Sequence, residues 1–576
     1  MNKMRVQTPR KRGGKGLGCL ALLLGLTVIA VGAFIGWQWF VPNGKHVVPV
    51  FDQVNPIIHK GEVMNQGAIV EGESIKLPLE AVRQLLGSEE PIRYEPESES
   101  IILTTQDKVI HLKTDALTAT MNQKPFELSF AAEKVGDNVF LPIAPLEELF
   151  GLQTEYDEET SIVTVRLPGE SVQRAAVQAE EAAIRSEPTI KAPISEALLK
   201  GAVVRIWGEQ EGWYRVQGPA GYIGFMKKSD VAISDIETVE EPARKKPFIA
   251  WKLYGQRINL TWEAVYSRNP DTSQIGELSG VNVVSPTWFE LVDGKGKIRS
   301  KADADYVSWA HRKEMQVWAL FSNSFEPDLT TEALSSYERR LNMIKQLLSY
   351  SQMYKIQGIN IDFENVYPKD KENLVQFVRE LTPLLHEQGL VVSIDVTPKS
   401  NSEMWSVFLD REALGKVVDY MMVMSYDEHW AASPKSGSVA SLPWVERSIV
   451  RILEEDDVPA GKLLLGIPLY TRIWTEAEGE NGEIKVSSKA VGMESIEALL
   501  EEKKLKPEYD PQTGQNYVEY EEDGALQRIW LEDETSIEAR IQLVKKYDLA
   551  GIATWQRGFQ KESVWGVMDD ALQSRP

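Results

Sequence analysis

The 576-residue sequence holds a single cysteine, Cys19, so no disulfide can form within the chain. Its six histidines, at 46, 59, 111, 311, 386 and 429, are scattered and lack a ligand spacing such as H-E-x-x-H. That leaves no catalytic metal and no cofactor implied. The first 45 residues contain neither Asp nor Glu, only the bases Lys3, Arg5, Arg10, Lys11, Arg12, Lys15 and Lys45. The whole chain has a net charge of −22, so the remaining residues are more acidic still. Such a balance argues against nucleic acid as a partner, and against holding any polyanion by bulk charge.

What the N-terminus does have is an uncharged run of 25 residues, Leu17 to Val41, with Trp37, Trp39 and Phe40 crowding its far end. That length spans a hydrocarbon core of ~30 Å, and the aromatics fit an interfacial belt. Six basic residues precede it, so the positive-inside rule predicts a cytoplasmic basic tail at 1–16, a transmembrane helix at 17–41 and everything later outside the cell membrane. The competing reading is a cleaved signal peptide. Its apolar region is usually about 7 to 15 residues and does not end in bulky aromatics.

At roughly 100 to 200 residues per domain, the length predicts three or four units. Beyond the membrane run, "LPLEAVRQLLG" with "IRYEPESESIILTT" is echoed by "LPIAPLEELFG" with "TEYDEETSIVTV". Each copy reads as a short amphipathic helix ended by Gly and followed by apolar strands, a duplication over 45–167. This segment resembles the N-terminal module of copper amine oxidases, here expected to act as a stalk, with no copper ligands. Residues 168–183, rich in Ala, Glu and Gln, read as a helical connector. Short strands broken by Gly and Pro then predict a small β-barrel at 180–235. "KGAVVRIWGEQEGWYRVQGPAGYIGF" resembles a bacterial Src-homology-3 domain. Trp213 and Tyr222 are either wall-contacting aromatics or filling for a small core. "ETVEEPARKKP" (237–247) is a charged linker.

From 248 to 576, eight apolar runs ("RINLTW", "VNVVSPTW", "MQVWALF", "GINIDFE", "VVSIDV", "YMMVMSY", "LLLGIPLY", "GIATW") alternate with helical stretches, which predicts an α/β fold, a TIM (β/α)8 barrel. Nearly 80 residues separate the last two runs, too many for one helix and its loops, so 474–535 is expected to be an α+β insertion. In the fourth run Asn360, Asp362 and Glu364 alternate with Ile359, Ile361 and Phe363, so the three polar groups share one strand face. A pair of carboxyls at the mouth of a barrel, one kept protonated by burial and by the other's charge, is acid chemistry suited to a glycosidic bond.

"GINIDFE" resembles the D-x-x-D-x-D-x-E signature of glycoside hydrolase family 18, the chitinases and bacterial wall- or cortex-lytic N-acetylglucosaminidases. That resemblance implies Glu364 as general acid and Asp362 as the group that orients the N-acetyl arm. It also implies that the sugar's acetamide is the nucleophile and that configuration is retained. By the same resemblance "MVMSYD" supplies Tyr426 to the acetamide and Asp427 in support, and "GIATWQRG" supplies Trp555 as the floor. "GIPLYTR" supplies Tyr470 and Arg472, and "IWLED" offers Glu532 and Asp533. Two positions depart from the signature: Gln357 replaces its first acid, and Asn360 stands where the middle acid would share a proton with Asp362. The resulting expectation is a membrane-anchored hydrolase of N-acetylglucosamine-containing glycan, peptidoglycan before chitin. The alternatives are a non-catalytic glycan-binding or scaffolding protein, or a chitinase proper.

Overall fold

The computed structural model describes residues 15–87, 92–241, 248–250, 257–479 and 482–573. The basic tail, apart from its last two residues, and most of the 237–247 linker lie outside the described residues. The uncharged run forms one helix, Lys15–Phe40, with the side chains of 22–37 described. Among the described residues no helix is long and apolar enough to cross a membrane.

The chain divides into two compact units, residues 1–85 with 132–243, and residues 86–131 with 244–576. In the first, parallel pairing of Pro56–His59 with Ile162–Arg166 builds one four-stranded sheet, and a second sheet joins Ser74–Pro78 to Asn138–Pro142. The helix Ile143–Phe150 ends at Gly151, whose φ of 65° suits a residue without Cβ. A seven-stranded sheet comes next, Ser171–Val177 through Val231–Thr238. Its first two strands, Ser171–Val177 and Glu181–Arg185, correct the expected helical connector. Val172, Ala175, Val177 and Ile184 are buried, so pairing overrides the helix propensity of Ala and Glu. Trp213 is also buried, whereas Tyr222 is partly exposed.

The second unit is the predicted (β/α)8 barrel. Its strands are β1 (Ile258–Glu263), β2 (Val283–Pro286), β3 (Gln316–Ser322), β4 (Gly358–Asp362), β5 (Val391–Val396), β6 (Tyr420–Val423), β7 (Leu463–Pro468) and β8 (Gly551–Trp555). All pair in parallel, and the β2–β3 and β1–β8 pairings close the ring. Inside the ring Ile258, Leu260, Trp262, Val283, Trp318, Leu320, Val391, Tyr420, Met422, Leu464 and Ala553 fill the floor. The opposite face of each strand, such as Ile359 and Ile361 of β4, packs against the helices. An added Cβ at Gly358 would lie 2.8 Å from the Trp318 ring, so this floor leaves no room there for a side chain. A plugged floor confines polar chemistry to the C-terminal ends of the strands.

Two additions flank the ring. The insertion is a five-stranded antiparallel sheet with the helix Met493–Lys503 and its own core of Ile496, Val518, Ile529 and Leu531. It starts at Tyr470, four residues before the expected boundary. The other addition is a five-stranded meander, Ile92–Glu95 through Lys124–Glu127, whose first two strands come from the first copy of the duplicated segment. It packs on the helices Tyr337–Tyr354 and Lys371–Glu387. Arg340 donates to Glu95 and to Glu380 at 2.7 Å each, and His111 stacks on Tyr337 at 3.9 Å.

Candidate active site

The alternation of β4 turns Asn360 and Asp362 into the barrel and sends Ile359, Ile361 and Phe363 outward. After Asp362 the strand stops. Buried Asn323, just beyond β3, clamps the next residue of that face: its Oδ1 accepts from the Glu364 N–H at 3.0 Å and its Nδ2 donates to the Glu364 carbonyl at 2.7 Å. Asn365 takes a left-handed φ of 55°, which reverses the chain directly behind Glu364. The acid is thereby fixed at the rim by backbone bonds, and its carboxyl is left free.

Burial, then the charges of Asp362 and Asp427, pushes Glu364 well above the ordinary carboxylate range. Burial also lifts Asp362, to about 7. Glu364 is thus held as a proton donor at a pH where an exposed carboxyl is ionised. Beyond β6, Asp427 adopts a φ of 61° and accepts from the Tyr470 hydroxyl at 2.7 Å and from Arg472 Nη2 at 3.1 Å. Tyr426 packs edge-on to Tyr470 with ring centroids 6.4 Å apart. Burial and then Asp395 push its phenol well above its usual range, so it remains a donor. Trp555, at the end of β8, lies 6.0 Å from Trp262 in a T-shaped pair, and its peptide bond to Gln556 is cis.

The structure thus brings Asn360, Asp362, Glu364, Tyr426, Asp427, Tyr470, Arg472 and Trp555 to one end of the ring. It gives Glu532 and Asp533 other work. Glu532 is buried and bound by Arg540, Ser536 and Gln515, while Asp533 caps the helix Glu534–Lys546 in a capping box. Gln357 lies at the opposite, N-terminal end of β4, where it accepts from the Val317 N–H and donates to the Lys355 carbonyl.

Sequence reading missed Asp395 on β5. It is buried, accepts from Asn360 Nδ2 at 2.7 Å, and is pushed well above its usual range by burial and by Asp362. The signal was the alternation of Ser393 and Asp395 in "VVSIDV", which repeats that of Asn360 and Asp362. Also missed were the exposed aromatics on the loops after β1, β3, β5 and β6, Tyr266, Phe325, Trp405 and Trp430.

These charges set the expected pH dependence. Asn360→Asp adds a carboxylate beside Asp395 and near Glu364, raises the proton affinity of the cup, and should move the alkaline limb of any pH–rate profile upward. A limb that stays or shifts toward acid contradicts this electrostatic account.

Comparison with known proteins agrees with the geometry. Residues 289–559 match the family described as glycosyl hydrolases family 18, residues 56–165 the copper amine oxidase N-terminal domain, and residues 180–232 the bacterial SH3 domain. The family 18 match runs from just past β2 through β8, and the chain is a glycoside hydrolase. An uncharacterized glycosylase, YvbX, of Bacillus subtilis is 27% identical over 297 residues, covering 50% of this chain and 83% of its own length. The cortical fragment-lytic enzyme of the same organism is 26% identical over 260 residues, covering 44% of this chain and 59% of its own length. The crystal structure of the Bacillus megaterium spore cortex-lytic enzyme SleL shares the fold at 19% identity and a TM-score of 0.50, covering 59% of this chain and 78% of its own.

Proposed function

We propose that the protein is a membrane-anchored glycosidase of a bacterial surface that cleaves N-acetylglucosamine-containing glycan, peptidoglycan rather than chitin, with retention of configuration. The observation that carries the reaction is the Glu364–Asp362 pair at the barrel mouth. Glu364 is kept protonated by burial and by two neighbouring acids, and Asp362 is turned inward beside it. Glu364 protonates the glycosidic oxygen while the substrate's acetamide oxygen closes on the anomeric carbon. Asp362 faces the acetamide N–H, Tyr426 donates to the acetamide oxygen, and Trp555 supports the reacting ring. Glu364, now ionised, takes a proton from the water that opens the oxazolinium ion from the original face, so the configuration is kept.

The peptidoglycan assignment draws support from the names of the cortex-lytic relatives and from the SH3 match. The exposed aromatics on the loops around the mouth are flat apolar surfaces of the kind sugar rings cover. The anchor draws support from the uncharged run that precedes Val41 and from the six bases before it, with the catalytic part placed outside the cell.

The test is to incubate the full chain with purified peptidoglycan and, separately, with chitin oligomers, and to follow products by mass spectrometry and early-time proton NMR. Muropeptide release with the β-anomer formed first is the expected result. Cleavage of chitin alone overturns the substrate, and an α-anomer formed first overturns the acetamide route. For the anchor, membranes from cells making the protein are washed with alkaline carbonate. Retention in the pellet is expected, and release into the wash overturns it.

A further inference from the structure

Strands β4 and β5 set four polar side chains in a square on the inner wall of the ring. Their register pairs Asn360 with Ser393 and Ile361 with Ile394, so Asp362 falls level with Asp395 on strands roughly 4.8 Å apart. Ser393 Oγ donates to Asn360 Oδ1 at 2.8 Å, and Asn360 Nδ2 donates to Asp395 Oδ2 at 2.7 Å. Both ends of the Asn360 amide are therefore committed to β5. Asp362 Oδ1 and Asp395 Oδ1 are buried without a hydrogen-bond partner. Two buried carboxylates at neighbouring positions cannot both ionise without great cost, and one proton between them supplies the missing donor.

The groups facing this pair come from several elements of the ring. Glu364 stands just beyond Asp362 at the end of β4, Trp262 faces Asp395 from β1, and Tyr426 faces both acids from the segment after β6. Asp427 and Tyr470 lie further out, and Arg472, which pairs with Asp427, brings its positive charge there. Asn360, which stands where a third acid could have taken a proton, has none to give up or accept.

We propose that Asp395 shares a single proton with Asp362 and is the positioning acid for it during glycan cleavage. The shared proton stands on the geometry, and its catalytic use rests on the acetamide-assisted reaction proposed above. In the free enzyme the proton lies between the two carboxyls, which together carry one negative charge beside Glu364. As the acetamide oxygen bonds to the anomeric carbon and positive charge spreads to the acetamide nitrogen, the shared proton settles on Asp395. Asp362 then faces the acetamide N–H as a carboxylate, and Asp395 is neutral. When water opens the oxazolinium ion the proton is shared again, so none is gained or lost by the pair.

Two measurements on the full chain test this. The first is infrared spectroscopy near neutral pH, comparing Glu364→Gln with Glu364→Gln/Asp395→Asn. Loss of a protonated-carboxyl band in the double variant is expected, and identical spectra in that region overturn the shared proton. The second is hydrolysis as a function of pH. Asp395→Asn should lower kcat by ~10²-fold with KM little changed, and should alter the pH profile. Asn360→Asp/Asp395→Asn exchanges acid and amide across the same hydrogen bond, and should recover turnover to within about tenfold of the parent. Parent-like turnover and pH profile in Asp395→Asn overturn the positioning role. So does a double variant that unfolds at the parent's temperature but recovers nothing, since that marks a purely structural acid. If the parent releases no sugar from any glycan, the proposed reaction fails and the catalytic use of Asp395 with it, while the infrared comparison still decides the shared proton.

Discussion

Glu364→Gln should lower glycan hydrolysis by at least ~10²-fold, the ordinary consequence of removing a general acid, while leaving the fold intact. The side chain keeps its size, and its backbone is still clamped by Asn323. The same substitution carries a second signature. A carboxyl whose proton affinity is raised in the fold binds its proton more tightly there than in the unfolded chain. Stability therefore falls as pH climbs from the unfolded value, ~4.3 for Glu, toward the raised folded value. Gln has no proton to lose. The variant should become more thermally stable relative to the parent across that window, and the gain should level off above the folded value. Near-normal turnover would point to another acid, and a thermal midpoint that does not diverge from the parent with pH would mean that Glu364 is not buried as described.

The largest stability effect is expected far from the mouth. Arg340 is fully buried, donates to both oxygens of buried Glu380, and holds Glu95 of the meander, whose other oxygen accepts from the Tyr337 N–H at 2.8 Å. Arg340→Met removes the cation, strands the Glu380 carboxylate in a low-dielectric interior and leaves Glu95 with Arg93 alone, which should cost about 3–5 kcal/mol. Replacing Arg340, Glu380 and Glu95 with apolar residues of similar volume should recover most of that loss, because the desolvation of those three charges is then avoided and Arg93 keeps its bond to Asn373. Calorimetry of the barrel transition in the three proteins checks both statements. A loss below about 1 kcal/mol in the single variant would show the cluster to be solvated.

The barrel was legible because its strands are near-continuous apolar runs, which parallel strands buried on both faces require. The acid pair was legible because Asn360, Asp362 and Glu364 broke one such run at alternate positions. Asp395 breaks the neighbouring run the same way and was passed over, since a single acid in "VVSIDV" carries no partner until β4 and β5 are set in register. Within the expected connector 168–183 the strands were misread because Ala and Glu favour helices and because a bulge between Gln173 and Ala175 breaks the alternation that would have marked Ser171–Val177 as a strand. The docking of residues 86–131 could not be read at all. Its central contact, Glu95 with Arg340, joins positions 245 residues apart, and nothing local in either segment names the other.

That docking decides where the hydrolase can be cut. A fragment beginning at Phe248 would keep all eight barrel strands but would bare the flank that the meander covers, with Arg340 losing one of its two counterions and Tyr337 its stacking partner. A stable hydrolase therefore needs residues 86–131 as well, and a cut at residue 86 would in turn strip Pro56–His59 and Ser74–Pro78 from the two sheets of the first unit. Recombination that swaps only the C-terminal half between proteins of this kind would join a catalyst to a mismatched brace.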